Sequence, residues 1–177
     1  SLNRWELMEK KWEDKVSSHC WFVSIYSLLI AKKINWKGDM GELMSYAALH
    51  DLGETATGDF CNVAKVIIDK SAENNYVSRM LGDRMPSLLP YVHEPRHPEV
   101  RNIVKAADLL DSTIFCAKEA AFGNGAMRKR EPLCRAALYE QWFKLPAAGA
   151  VLQEVWERDV RPSLELHFDS AAYDIDS

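Results

Sequence analysis

The chain has 177 residues, of which 47% are hydrophobic and 10% aromatic, so it has ample material for a buried core and is predicted to form one domain over residues 1–177. A formal net charge of −4 argues against a broad nucleic-acid-binding surface, which needs a surplus of Lys and Arg. No apolar run reaches the roughly 20 residues that cross a bilayer, so we expect a soluble protein with neither nucleic acid nor a membrane as partner.

The elements predicted in chain order are helices, because hydrophobic residues recur every three or four positions and strand-like alternation is scarce. A first helix is predicted from a cap at Ser17-Ser18 to about residue 33, with apolar residues on most faces. A second is predicted to begin at Asp39 or Met40 and to end near His50. The glycine-containing stretch 53–59 then allows the backbone to turn polar side chains toward one pocket.

Beyond that loop, the pattern predicts one or two short helices over 63–75 and another over 76–89, with a break near Gly82. Several prolines interrupt the connection before a long helix over 98–122. Helices are also predicted over 126–143 and 148–167, and a flexible tail after about residue 168. The predicted fold class is therefore all-α.

Four residues with metal-binding side chains fall on predicted helices or their ends among mostly apolar neighbours: His19, His50, Asp51 and Asp108. Charged groups are seldom buried without a partner. Asp108 lies on the apolar side of the predicted helix 98–122, where a cation should meet it. One metal held by two imidazoles and two carboxylates would satisfy all four residues, and this set suits zinc, manganese, cobalt or iron better than calcium.

The segment LHDLGETATGD, residues 49–59, adds a second carboxylate, Glu54, about one turn after the His50-Asp51 pair. An imidazole with two carboxylates can bind a divalent metal and activate its water, so this spacing indicates a hydrolase. Two interpretations of another class stay open beside it. The set could be a structural metal or ion-pair network in a helical binding module, or it could belong to a protein that senses nucleotides without hydrolysing them.

The motifs resemble those of the HD-domain phosphohydrolases, specifically the YfbR-like 5'-deoxynucleotidases. The resemblance rests on five elements in the family's order: NRW at 3–5, SxH at 17–19, HDxxExxTGD at 50–59, Lys65, and VKxAD at 104–108. Short phage dATP triphosphohydrolases are similar to about the same degree. The resemblance implies an HD-domain helical bundle that hydrolyses 2'-deoxynucleotide 5'-phosphates.

The resemblance also implies a role for each matching residue. The metal ligands would be His19, His50, Asp51 and Asp108, binding one divalent transition metal (Zn, Co or Mn). Glu54 would orient or deprotonate the attacking water, and Asp59 would assist near the scissile ester oxygen. The substrate-binding residues would be Arg4 and Lys65 on phosphate oxygens, Trp5 against the sugar, and Thr57. The alternative for Thr57 is a hydrogen bond within its own turn.

Two departures from the family pattern affect the nucleotide's surroundings and leave the metal set intact. Ser18 stands where the family commonly has Glu, and residues 61–64 replace the usual prolines. Hydrolysis of a monophosphate to deoxynucleoside and phosphate, or of dATP to deoxynucleoside and triphosphate, therefore stays open, with adenine preference suggested by the phage resemblance alone.

Four widely separated cysteines form no CxxC pair, and no leader segment precedes the first motif. We expect reduced thiols and a cytoplasmic location, in a bacterial host cell if the chain is phage-encoded. A homodimer or larger assembly is expected because related proteins assemble and because several tryptophans offer much apolar surface: Trp12, Trp36, Trp142 and Trp156.

Overall fold

The structure is a computed structural model that describes residues 4–5, 10–54, 70–91, 95–145, 153–154 and 157. Its helices are α1 (Val16–Lys33), α2 (Met40–Leu49), α3 (Lys70–Arg84), a 3₁₀ helix (Pro86–Tyr91), α4 (Pro98–Ala121) and α5 (Gly125–Lys144). The all-α prediction is confirmed. Among these described helices, none combines the length and the apolar character that a membrane span requires.

The first two helices begin for different reasons. In α1, Lys15 occupies the N-cap without a side-chain hydrogen bond to the helix, so the predicted cap at Ser17-Ser18 is wrong. Both serines lie inside the first turn. In α2, the Asp39 side chain accepts hydrogen bonds from the backbone N–H groups of Gly41 and Glu42, which confirms the predicted start.

Helix α3 runs through two positions at which the sequence predicted an interruption. It is continuous from residue 75 to 76 and through Gly82, so both predicted breaks are wrong. Val77 and Leu81, each 2% exposed, are one turn apart and pack inward, and their burial offsets the roughly 1 kcal/mol that a helical glycine costs. The helix ends before Pro86, which opens the 3₁₀ helix.

Helix α4 is the centre of the fold and packs against α1, α2 and α5. Its buried apolar side chains recur at three- and four-residue spacing, as predicted: Val100, Ile103, Val104, Ala107, Leu110 and Ile114. Helix α1 contributes Val23 and Ile30 to the same core, and α2 contributes Leu43 and Ala47. This packing brings the first turns of α1, the end of α2 and the middle of α4 together.

A buried carboxylate fixes α2 to the start of α4. Glu42, 5% exposed, accepts hydrogen bonds from the backbone N–H groups of Arg96 and His97 and lies 2.5 Å from Nδ1 of the His97 ring. His97 is the N-cap of α4. Burial by itself raises the pKa of Glu42. The hydrogen bonds from His97 and Arg96 lower it by a larger amount, so the pKa lies below the ordinary value.

Candidate active site

The first candidate ligand, His19, lies in the second turn of α1 and is completely buried. Its Nδ1 is 2.6 Å from Oδ2 of Asp111 on α4, a hydrogen-bond distance. Its Nε2, on the opposite side of the ring, is buried and has no hydrogen-bond partner among the described residues. The ring is therefore anchored through one nitrogen, and the other nitrogen is available to a ligand.

His50 and Asp51 lie where α2 ends. His50 is the C-cap residue, and its Nδ1 donates a hydrogen bond of 2.7 Å to the carbonyl oxygen of Ala47 within the last turn. Its Nε2 is buried and, in the described part of the chain, also lacks a hydrogen-bond partner. Because one ring nitrogen of each histidine donates to the protein, the other can carry the lone pair that binds a metal.

These side chains converge on one point. His19 Nε2 and His50 Nε2 each lie 3.3 Å from Oδ2 of Asp51, and ligand atoms of all three residues lie within 4.8 Å of one another. Metal–ligand bonds of about 2.0–2.2 Å place neighbouring donor atoms roughly 2.8–3.6 Å apart at tetrahedral or octahedral angles. Two buried imidazole nitrogens, each 3.3 Å from the same carboxylate oxygen and neither hydrogen-bonded among the described residues, fit a divalent transition metal.

Asp108 lies on α4 beside this group. Its Oδ1 is 3.4 Å from His19 Nε2, and its Oδ2 accepts a hydrogen bond of 2.6 Å from Lys105. It thus meets two basic groups, as its position on the apolar side of the helix suggested. Asp108 is not one of the three residues whose ligand atoms are mutually close, but it borders their centre and can supply a fourth ligand atom.

The carboxylates around the two histidines raise the pKa of both rings. Burial lowers the pKa of His19, but the carboxylates of Asp108, Asp111 and Asp51 around its ring raise it to about 11. Burial likewise lowers the pKa of His50, but the charge of the nearby Asp51 carboxylate raises it to about 10. When no metal is bound, both rings are therefore protonated on both nitrogens and positively charged at neutral pH.

The two carboxylates respond in the opposite sense. Burial raises the pKa of Asp51, but the neighbouring His50 and His19 bring it well below its usual range. Burial raises the pKa of Asp108, but the nearby His19 ring and the charge of Lys105 lower it below its usual range. Both carboxylates are therefore ionised at neutral pH, the form in which they bind a cation.

Glu54 follows the ligand pair within one turn. Its backbone N–H donates a hydrogen bond of 3.0 Å to the carbonyl oxygen of Asp51, and its side chain is 5% exposed. A buried carboxylate next to two candidate ligands is well placed to handle a proton. The other residues predicted in this stretch, Thr57, Asp59 and Lys65, lie outside the described residues.

The Arg4 side chain contacts Asp111, the hydrogen-bond partner of His19. Its guanidinium is 6% exposed, and it donates hydrogen bonds to Asp14 at 3.0 Å, to Ser112 Oγ at 3.1 Å and to Asp111 at 3.4 Å. These hydrogen bonds engage both terminal nitrogens of the guanidinium with protein oxygens. The predicted phosphate-binding role of Arg4 stays a prediction. Residue 4 and α4 are joined through this one side chain.

Trp5 packs against Phe115 with a ring-centroid distance of 5.8 Å and nearly parallel planes, and its indole N–H donates a hydrogen bond of 3.1 Å to Asp14. The ring is half-buried. Its backbone has a φ of 60°, in the left-handed region. Contact with a sugar stays a prediction for this residue.

Asp111, the partner of His19 Nδ1, was not among the site residues predicted from the sequence. A signal was available, because Asp111 follows Asp108 by three residues and therefore lies on the same side of α4. Both carboxylates face the His19 ring, one near each nitrogen.

Comparison with known proteins relates the chain to one enzyme family. The family described as 5'-deoxynucleotidase YfbR-like matches residues 1–157. The 5'-deoxynucleotidase YfbR of Escherichia coli O1:K1 / APEC is 27% identical over 138 residues, which cover 70% of this chain and 69% of that protein. The protein of the same name from Shigella boydii serotype 18 matches with the same figures.

Solved structures show the same architecture. An HD-domain phosphohydrolase from Listeria innocua superposes with a TM-score of 0.71 at 16% identity, over 92% of this chain and 82% of that one. The HD phosphohydrolase of cyanophage S-2L, solved bound to dA and one catalytic Zn²⁺ ion, superposes with a TM-score of 0.64 at 16% identity over 91% of each chain. The predicted HD-domain helical bundle is confirmed.

Proposed function

From the premise that the chain belongs to the YfbR-like 5'-deoxynucleotidase family of metal-dependent hydrolases, we propose that it hydrolyses 2'-deoxynucleotide 5'-phosphates at the 5' ester bond. The products would be a deoxynucleoside and phosphate or triphosphate. The observation that carries the proposal is the convergence of His19 Nε2, His50 Nε2 and the Asp51 carboxylate, with the second nitrogen of each ring hydrogen-bonded to the protein. The cyanophage HD phosphohydrolase is bound to dA and a catalytic Zn²⁺ ion, which supports a divalent metal and a deoxynucleoside product for this chain as well.

In this proposal the metal, a zinc, cobalt or manganese ion, is held by His19, His50, Asp51 and Asp108. When bound, such an ion supplies Lewis acidity that activates water and offsets charge on phosphate oxygens. The Glu54 carboxylate orients the attacking water and accepts its proton, since it is buried one turn from Asp51. Asp59 assists at the departing 5' oxygen.

The substrate-binding residues in this proposal are Arg4, Trp5, Thr57 and Lys65. Arg4 would hold a phosphate oxygen through its Nε–H, which has no hydrogen-bond partner among the described residues, or by exchanging the Asp14 carboxylate or Ser112 hydroxyl for the substrate. Trp5 would lie against the sugar and disfavour a 2'-hydroxyl. Lys65 would hold a second phosphate oxygen, and Thr57 would complete the substrate-binding set.

The number of phosphates and the base are the finer part of the proposal. If Arg4 and Lys65 both hold the reacting phosphate, a monophosphate such as dAMP fits. If one of them reaches beyond it, a triphosphate such as dATP is cleaved at the same bond. We therefore propose hydrolysis at the 5' ester of an adenine deoxynucleotide and treat dAMP and dATP as its two branches.

The test is product analysis. Protein loaded with zinc, cobalt or manganese is incubated with each dNMP, dNTP and matching ribonucleotide, and nucleoside, phosphate and triphosphate are resolved by ion-pair chromatography. Deoxynucleoside with phosphate from monophosphates identifies a 5'-deoxynucleotidase, and deoxynucleoside with intact triphosphate identifies a triphosphohydrolase. No product with any of the three metals would favour a nucleotide-sensing or binding module.

We also propose a homodimer or larger assembly that works in the cytoplasm, where deoxynucleotides occur. Apolar side chains on α1 support association, because Trp21, Phe22 and Leu29 are 65%, 47% and 42% exposed. Two of the tryptophans expected to offer apolar surface for association, Trp36 and Trp142, pack against the core instead. Sedimentation of a monomer at micromolar concentration would contradict the proposed assembly.

A further inference from the structure

Two carboxylates on α4 bracket the His19 ring. Asp108 and Asp111 are three residues apart and so lie one turn apart on the same side of the helix. Asp108 Oδ1 lies 3.4 Å from Nε2 of His19, and Asp111 Oδ2 lies 2.6 Å from Nδ1. The ring is thus aligned between two fixed points on one rigid helix.

The two contacts have different consequences for metal binding. A hydrogen bond at Nδ1 keeps the proton on that nitrogen and directs the lone pair of Nε2 toward the opposite side of the ring. Nε2 is the nitrogen that faces Asp51. Asp111 therefore selects the tautomer that can bind a metal and sets the direction from which Nε2 approaches it.

Asp111 is itself held in place. It is 9% exposed, and its Oδ2 lies 3.4 Å from the Arg4 guanidinium. The same guanidinium donates to the hydroxyl of the adjacent residue, Ser112, at 3.1 Å, and to Asp14 at 3.0 Å. A buried carboxylate that accepts from both an imidazole and a guanidinium has little freedom to rotate, so its direction toward His19 is fixed before a metal binds.

We propose that Asp111 is a positioning residue for the metal centre, holding His19 in the orientation and tautomer that bind the ion. This inference rests on the metal site of the proposed function and adds a residue that the family motifs in the sequence do not contain. Asp111 does not touch the metal or the substrate in this role, and it acts through the His19 ring.

The chain offers a matched control for the test. Ser112 is adjacent on α4, is also buried, and also bonds Arg4, but its hydroxyl forms no hydrogen bond with His19 among the described residues. Ser112→Ala therefore disturbs the Arg4 network and leaves the ligand's hydrogen bond in place. Asp111→Ala removes that bond, and Asp111→Asn retains an oxygen acceptor of similar size without the charge.

The experiment is a titration of metal-free protein with Co²⁺, followed by visible absorption and calorimetry in the absence of nucleotide. We expect Asp111→Ala to weaken Co²⁺ binding by about 10- to 100-fold and to change the absorption bands, because loss of such a partner typically has this effect. Asp111→Asn should lie between Asp111→Ala and the wild type. Ser112→Ala should keep the wild-type affinity and spectrum.

Wild-type affinity and spectrum in both Asp111 variants would overturn the proposal, as would an equal loss in Ser112→Ala or the absence of Co²⁺ binding by the wild type. If Asp111→Ala fails to fold by circular dichroism, the isosteric Asp111→Asn decides the question, and an unchanged affinity there overturns it. Because no nucleotide is present, a protein that binds Co²⁺ in an Asp111-dependent way but releases no nucleoside would refute the proposed function alone.

Discussion

Nε2 of His19 lies 3.3 Å from the Asp51 carboxylate, although His19 belongs to α1 and Asp51 to the turn that follows α2. Burial lowers the pKa of His19, but this contact and the carboxylates of Asp108 and Asp111 raise it to about 11 when no metal is bound. The pKa of His50 is raised to about 10. A metal bound at this point must replace the protons on both Nε2 atoms.

We therefore expect zinc binding at pH 7 to release protons and to strengthen as pH rises. Because the folded pKa values exceed the unfolded ones, the proton-linked stability of the metal-free site is complete below about 6.5 and is lost as pH rises through about 10 and 11. Calorimetry in two buffers of different ionisation enthalpy measures the release. Zinc affinity independent of pH between 6 and 8 would contradict this expectation.

Replacing Glu54 with Gln should lower turnover by orders of magnitude and leave metal binding intact, because the amide cannot accept the proton of the attacking water. Glu42→Gln is the matched control, since Glu42 is equally buried at 5% exposure but contacts the start of α4. Both variants are assayed for nucleoside release at a temperature at which circular dichroism shows them folded. An active Glu54→Gln enzyme would remove Glu54 from the mechanism.

Asp108→Ala should reduce the metal content of purified protein, because it removes the carboxylate oxygen 3.4 Å from His19 Nε2. Asp83→Ala is a suitable control, since Asp83 is exposed on α3. Metal per chain is measured by mass spectrometry after dialysis against a weak chelator. Equal metal content in the two variants would show that Asp108 is not a ligand.

The ionised Glu42 carboxylate should stabilise the fold at neutral pH and lose this effect at acidic pH. Its pKa is lowered, so its contribution is present above the unfolded value of about 4.5 and is lost as pH falls through the folded value. We expect Glu42→Gln to lower the free energy of unfolding by about 1–3 kcal/mol at pH 7, as for hydrogen bonds to a charged group. Denaturant melts of chelator-treated protein at pH 7 and pH 3.5 check this, and a difference that does not shrink at pH 3.5 would refute it.

Trp5→Ala should narrow the preference for deoxynucleotides over ribonucleotides if the indole lies against the sugar. The ring already has a defined place, stacked on Phe115 and hydrogen-bonded to Asp14. Trp12→Ala is the control, because Trp12 is 43% exposed and packs on Phe122 instead. The measured quantity is the ratio of kcat/KM for dAMP and AMP, or for dATP and ATP. An unchanged ratio would place the sugar elsewhere.

The part of the fold that depends on local spacing could be predicted from the sequence. The apolar period of α4 and the Asp39 cap of α2 each depend on residues within one or two turns, so they are legible without the rest of the chain. The breaks predicted in α3 were wrong because helix continuity there depends on contacts with the rest of the packed protein. Whether a helix continues through Gly82 depends on the burial of Val77 and Leu81, which is a property of the packed protein.

By itself, the sequence determined an all-α chain with a His-Asp pair, a nearby Glu54 and a distant Asp108, because residue type and helical period carry that information. Only the tertiary structure decided which atoms meet. The Asp111 partner of His19 is 92 residues away, and the contact of Arg4 with Asp111 spans 107. Such contacts depend on how α1 and residue 4 pack against α4, and each buried polar group then takes the partner that packing places within reach.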